Sequence, residues 1–287
     1  MMKPDGRAEA PWRHALGRHG FIERRGPVGI LLIHGLTGTP AEMKPFAKRL
    51  VKAGYSVACP QLAGHCQSVE ALKATHWRDW YGSVLIAFEQ MKREYDQVYV
   101  GGLSMGALLA LLLAAEKKEQ VTGLILLSVT FFYDGWNIPR VKRRFLLPIA
   151  LYTPLKHIMQ WEEQPPYGIK CQRTRAKVAA VLSNKTANAP ESIGYFQTPA
   201  LVILESTRLI RAARRALGQV FVPTLIVHST EDDMASIKNA HYVKRRISSK
   251  RVESFFVDDT YHVVTLDQRK DDIAARVAEF CASPAVG

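Results

Sequence analysis

A chain of 287 residues is one large domain or two small ones, because single cores stop growing near about 250–300 residues. Hydrophobic residues at 47% and charged residues at 23% exclude a mostly disordered chain, and the longest apolar run (ALLALLLAA, 107–115) is too short for a membrane-spanning helix, which needs about 20 residues. The 39 Lys+Arg against 26 Asp+Glu leave a net charge of +13, which suits an anionic partner or a solvated basic surface.

The first 26 residues are basic and lack the apolar stretch of a secretory signal, so a soluble, cytoplasmic protein is expected. From Val28 the pattern alternates. VGILLIH (28–34) reads as a buried parallel strand, and 41–53 places Met43, Phe46, Ala47, Leu50 and Val51 at helical spacing before Gly54. A strand at 55–58 follows, then a helix at 78–95 carrying Trp80, Tyr81, Val84, Leu85, Phe88 and Met91. Next come a strand at 98–101, a helix at 105–117 and a strand at 123–127. This alternation predicts an α/β fold with a doubly wound, mostly parallel sheet and right-handed crossovers.

The rhythm breaks between 131 and 216, where seven prolines separate helical patches with no clear strand. A block of this length is too long for a plain loop and is expected to be an inserted helical cap or lid. Two units follow: a core from 1–130 and 217–287, and a cap from 131–216. The cap holds 14 Lys+Arg against 5 Asp+Glu, a net +9, so most of the basic excess is local to it. PTLIVH (223–228) restarts the sheet, and a helix at 236–247, a strand at 252–257 and a helix at 267–281 complete it. Cys59, Cys66, Cys171 and Cys281 form no CxxC pair and read as reduced thiols rather than disulfides or zinc ligands. No zinc-finger, RRM or P-loop pattern appears, so neither nucleic acid nor a metal or other cofactor is expected.

Gly102-Leu103-Ser104-Met105-Gly106 lies between an expected strand and an expected helix. There a GxSxG is a nucleophile elbow: the glycines allow a tight turn that pushes the serine hydroxyl out of the sheet, and the helix N-terminus faces the developing oxyanion. A serine needs a base, and the base needs an acid to orient it, in the chain order Ser, acid, His. Of the later histidines, His157 falls in the cap, His241 in a helix and His228 ahead of the acids. His262, in the loop after the last strand, is the expected base. Glu231, Asp232 and Asp233 all follow the 223–228 strand, at the edge where open α/β sheets carry their sites, and spacing does not choose among them. Asp258 and Asp259 are a further pair near His262. Oxyanion donors are expected from the amides of Met105 and Leu36, the latter in the loop HGLTG (34–38), with His34 bracing that loop.

The stretches HGLTGTP (34–40), GYSVACPQLAGH (54–65), GLSMG (102–106), STEDDMAS (229–236) and YHVVTLD (261–267) resemble the bacterial carboxylesterase and monoacylglycerol lipase family of α/β-hydrolases. The resemblance runs from Val28 to the C-terminus except the cap. It implies an α/β-hydrolase fold, with Ser104 as nucleophile, Asp232 as acid, His262 as base, and Leu36 and Met105 as oxyanion donors. Three features depart from it: Ala107 in place of a second glycine, GHC at 64–66, and a longer, more basic cap. Within the cap, PESIGYFQTP (190–199) looks like the segment where such lipases read glycerol with a glutamate; here an ungapped match gives Ser192, with Glu191 adjacent.

The expected activity is a cofactor-free serine hydrolase cleaving carboxylic esters, from short or medium acyl esters to monoacylglycerols. The same triad would serve a thioesterase or acyltransferase on acyl-CoA-like or phospholipid substrates, whose anionic groups suit the basic cap. A hydrolase fold kept as a binding module usually lacks a triad member, and none is missing here. The partner is a lipophilic ester, and RVKRRFLLP (140–148), beside apolar cap residues, suggests peripheral contact with anionic lipid.

Overall fold

The computed structural model describes residues 9–138, 142–183, 194–195 and 197–283. Its main sheet has seven strands: β1 (Phe21–Glu23), β2 (Val28–Ile33), β3 (Ser56–Cys59), β4 (Gln97–Leu103), β5 (Gly123–Leu127), and, after the cap, β8 (Thr224–Ser229) and β9 (Val252–Val257). The spatial order is β1-β3-β2-β4-β5-β8-β9. All neighbours are parallel except β1, which adds antiparallel to β3.

Both sheet faces are buried, which is why the central strands read as continuous apolar runs. Side-chain alternation divides them. Leu31, Ile33, Leu124 and Leu126 face a core shared with helices Trp77–Glu94, Met105–Lys117 and Ala200–Ala216. Ile30, Leu32, Ile125 and Leu127 face the opposite core, filled by Met43, Phe46 and Leu50 of helix Pro40–Lys52 and by Ile273, Val277 and Phe280 of helix Lys270–Ala282. At about 1.5–3 kcal/mol for each fully buried large aliphatic or aromatic side chain, these two layers fix the sheet.

The expected core elements are all present, with ends shifted by a few residues. Two short elements were not expected: the edge strand β1 and the helix Glu9–Leu16, whose Trp12 and Leu16 join the first core.

Within the block expected as a helical cap, the structure adds one short strand pair to the helices. β6 (Gln160–Glu162) pairs antiparallel with β7 (Gln197–Pro199), joining Trp161 to Thr198 across a long sequence separation. Each strand is only three residues long, too short to show an alternating pattern. Helix Ala200–Ala216 serves core and cap at once: Val202, Leu209, Ile210 and Ala213 enter the first core, while Ala200 and Leu204 pack with Leu151 of cap helix Leu147–Tyr152.

The chain passes from β2 to β3 on one side and then to β4 on the other. This reversal opens a crevice at the carboxyl ends of β2 and β4, where open α/β sheets place ligands.

Candidate active site

Ser104 follows β4 directly and opens helix Met105–Lys117 with φ 56° and ψ −111°, a left-handed conformation costly for a residue with a Cβ. Its amide donates to Leu127 O at 2.8 Å, which holds the turn onto β5. Both motif glycines are required by close backbone approach. A Cβ on Gly102 would lie 2.3 Å from Gly106 C, and one on Gly106 would lie 2.2 Å from Ile33 O. The elbow is therefore wedged against the end of β2.

Beyond β2, the loop 34–38 wraps beside the elbow. A Cβ on Gly35 would lie 3.8 Å from both Ser104 Cβ and Glu42 Oε1. His34 braces the loop as expected: Nδ1 meets Gly35 O at 3.0 Å, and Nε2 accepts the Leu62 amide at 3.3 Å. Burial, aided by nearby His65, holds its pKa well below the usual range, so it stays neutral. The Gly35 amide donates to Glu42 Oε1 at 3.1 Å. Among the described residues the Leu36 and Met105 amides donate to no protein acceptor.

In the loop after β8 the competing acids have different partners. Asp232 receives His262 Nδ1 at 2.8 Å on Oδ2 and 3.0 Å on Oδ1. The amides of Met234 and Ala235 donate to its Oδ1 at 2.9 and 2.7 Å and fix the carboxylate. Glu231 instead binds Lys170 at 2.5 Å, Asp258 pairs with Arg269 at 2.7 Å, and Lys170 also meets Asp259 at 3.2 Å. Asp233 is buried beside the pair, with Oδ1 accepting the His262 amide at 3.4 Å.

Burial opposes ionisation of both members of the pair, but each charge supports the other. His262 is raised above the usual imidazole value, mainly by Asp232, and Asp232 is lowered below the usual carboxylate value, with His262 the chief attraction. His228, also beside Asp232, is buried and lowered; it bonds Ala235 O at 2.7 Å and stays neutral.

The Ser104 hydroxyl lies 3.1 Å from Thr130 Oγ1, and Thr130 in turn donates to Ser128 O at 3.0 Å. Because the Thr130 proton is committed to Ser128, Ser104 is the donor in the first bond. No Ser104–His262 hydrogen bond is present among the described residues; such bonds are often long without substrate.

Sequence reasoning missed three side chains here. Thr130 sits just past β5 on the active edge, a position that could have flagged it. Glu42 stands in the first turn of the helix after the oxyanion loop. Glu163 comes from the cap and accepts Thr37 Oγ1 at 3.4 Å, a contact between distant segments with no local signal. Its side chain is accessible yet surrounded by protein, as in a group lining a recess. Burial pushes both carboxyls up to about 7; Glu163 adds to the rise of Glu42, Asp233 to that of Glu163, and His262 opposes both. Glu191 and Ser192, the expected substrate-reading positions, lie outside the described residues, as does part of RVKRRFLLP (140–148). Among the described residues, no group of three or more His, Cys, Asp or Glu is arranged to hold a metal ion.

The cap is tied to this edge. The Tyr195 amide donates to Thr37 O at 2.9 Å, the Gly135 amide to Met234 O at 3.0 Å, and the Val263 amide to Gly168 O at 2.8 Å.

Comparisons with known proteins agree with this architecture. The Hydrolase_4 family model, described as serine aminopeptidase, S33, matches residues 28–269. A thermostable monoacylglycerol lipase of Bacillus sp. (strain H-257) is 31% identical over 269 residues, covering 94% of this chain and 96% of that protein. A carboxylesterase of Bacillus subtilis (strain 168) is 22% identical over 261 residues, covering 91% and 94%. A solved structure from work on the metagenome-derived lipolytic enzymes LipS and LipT superposes with a TM-score of 0.76 at 24% identity, covering 91% of this chain and 96% of that one.

Proposed function

Since the chain belongs to the Hydrolase_4 family and is a lipase- and esterase-like α/β-hydrolase, we propose that it cleaves carboxylic esters of lipophilic acyl groups through an acyl-enzyme on Ser104. The observation that carries this reading is the buried His262–Asp232 pair at 2.8 and 3.0 Å on the same sheet edge as the strained Ser104 elbow. Residues 131–216 act as the cap over this edge.

In the proposed reaction Ser104 Oγ leaves Thr130, gives its proton to His262 Nε2 and attacks the ester carbonyl carbon. Asp232 holds Nδ1–H and stabilises the imidazolium that forms. The carbonyl oxygen takes the negative charge and is met by the Leu36 and Met105 amides, which among the described residues have no protein acceptor to give up. His262 then protonates the departing alkoxide, and the alcohol leaves. Water, deprotonated by His262, attacks the acyl-enzyme; the proton returns to Ser104 and the carboxylic acid is released.

Similarity to a monoacylglycerol lipase at 31% identity supports acylglycerols as one substrate class. The basic cap supports a second reading, a thioesterase or acyltransferase using the same triad on an anionic acyl carrier. The test is hydrolysis of p-nitrophenyl esters from short to long acyl chains and of a 1-monoacylglycerol, with Ser104→Ala alongside. Comparable turnover of glyceride and medium-chain ester, abolished in the variant, is expected. Turnover confined to activated esters would move the assay to acyl-CoA. Failure of a fluorophosphonate to label Ser104 in folded protein would sink the enzyme reading.

A further inference from the structure

Helix Ala200–Ala216 carries Arg208, Arg211 and Arg215 at spacings of three and four residues, which aligns them on one exposed face. Arg208 pairs with Glu205, while Arg211 and Arg215 face no carboxylate within 4 Å among the described residues. Like charges at this spacing repel, and an external anion relieves them. Arg78, stacked 4.8 Å from the Trp77 ring, forms the opposite wall, and together these side chains line a groove of about 490 Å³. A neighbouring hollow of about 210 Å³ shares Arg208 and Arg211 and extends to Tyr152 and Lys156 of the cap. The basic track is therefore continuous from core to cap.

Where the track reaches the cap, the surface turns apolar. Phe145, Leu146, Ile149, Tyr152, Leu155 and Ile158 are exposed, Ile158 at 78%, and they make up six of the ten large exposed hydrophobic side chains among the described residues. Arg144 stacks over Phe145 at 5.9 Å, so cations border these tips on this side as well. An acidic soluble partner would satisfy the arginines and leave the aliphatic tips wet. An apolar partner would bury the tips and strand the arginines. Apolar tips beside unpaired cations match a phospholipid surface, whose acyl boundary accepts the former and whose phosphates accept the latter.

We propose that this face docks the protein on anionic phospholipid membranes, with Arg78, Lys156, Arg211 and Arg215 meeting phosphate groups and the 145–158 tips entering the acyl boundary. Docking extends the lipid-ester reading by bringing the cap to where such substrates reside, but the two fail separately. Hydrolysis of a soluble p-nitrophenyl ester reports the triad, and vesicle partition reports the surface.

The test is co-sedimentation of the full chain with phosphatidylcholine vesicles with and without phosphatidylglycerol, at low and high salt. Binding is expected only to the anionic vesicles, and salt should weaken it. Arg211→Gln/Arg215→Gln should lower partition about thirtyfold, at about 1 kcal/mol per charge near the surface. Ile149→Ser/Ile158→Ser should lower it at both salt concentrations. Soluble-ester hydrolysis should persist in both variants, which shows that they fold. Equal partition to both vesicle types, or partition unchanged in the arginine variant, would overturn the proposal. So would absence of vesicle binding together with a Tm raised by pyrophosphate in the parent alone, which would assign the groove to a soluble phosphorylated ligand.

Discussion

Glu42 tests whether the oxyanion loop is held as its contacts imply. The side chain accepts the Gly35 amide one residue before Leu36, and burial pushes its carboxyl from 4.5 up to about 7. Between those values the unfolded chain has lost the proton and the folded protein still holds it. The stability linked to this group is intact below about pH 4.5, declines as pH rises and is gone above about pH 7. A gap of about 2.5 units at about 1.36 kcal/mol per unit sets a ceiling of roughly 3.4 kcal/mol. Glu42 keeps part of its surface in solvent, so screening reduces the expected effect to about 1–2 kcal/mol. Glu42→Gln keeps an oxygen for Gly35 and cannot ionise. Urea unfolding should show it about 1–2 kcal/mol more stable than the parent near pH 8, with the difference closing toward pH 4. Glu42→Leu removes the acceptor and should lower kcat for ester hydrolysis where Gln does not. An advantage for Gln that is the same at both ends of the pH range would refute the burial argument. Undiminished kcat in the leucine variant would refute the link to the loop.

Gly106→Ala drives a methyl against Ile33 and His34 backbone and should cost about 1–3 kcal/mol in urea unfolding, with kcat falling more than KM changes. Gly82→Ala is the matched control: no atom lies within 4 Å of its Cβ position in helix Trp77–Glu94, so a gain of about 0.5–1 kcal/mol is expected. Asp232→Asn should lower kcat by about 10³–10⁴, whereas Asp233→Asn should leave most activity, as measured on one p-nitrophenyl ester. Because Asp232 raises His262 and the base must be neutral, kcat/KM of the parent should climb with pH through an inflection above 6.5. That inflection should move to lower pH in the residual activity of Asp232→Asn. Thr130→Val removes the acceptor of the resting Ser104 hydroxyl and should raise the fluorophosphonate labelling rate at fixed pH; a fall would show that Thr130 aligns the nucleophile instead.

What was legible in the sequence is what the sheet imposes locally. Period-two burial on both faces makes β2, β4, β5 and β8 uninterrupted apolar runs, and a glycine-flanked serine between strand and helix has few other uses. His262 and the acid loop were placed by following strand ends along one edge. The choice of Asp232 over Glu231 and Asp233 was not available from spacing, because adjacent residues in an irregular loop differ only in where their side chains point. The resemblance points to Asp232, and in the structure its Oδ2 lies 2.8 Å from His262 Nδ1.

The internal pairing of residues 131–216 was illegible for a different physical reason. Its organisation rests on pairings between segments far apart in sequence, such as Trp161 with Thr198 and Glu163 with Thr37, and three-residue strands leave no periodic trace. Yet one of these contacts brings a charged side chain to the candidate site. Glu163 brings a second carboxyl near Glu42 and His262; burial raises both to about 7, with Glu163 adding to the shift of Glu42 and Asp233 to that of Glu163. The charge of the insertion is thus divided by position: Glu163 reaches Thr37 beside the site, while arginines line the outer groove of helix Ala200–Ala216. A net charge summed over the insertion averages these two regions and points an anionic group toward the site. At the site itself the two carboxyls are raised to about 7 and His262 stands beside them, so the basic excess of the insertion is not carried onto the residues around Ser104.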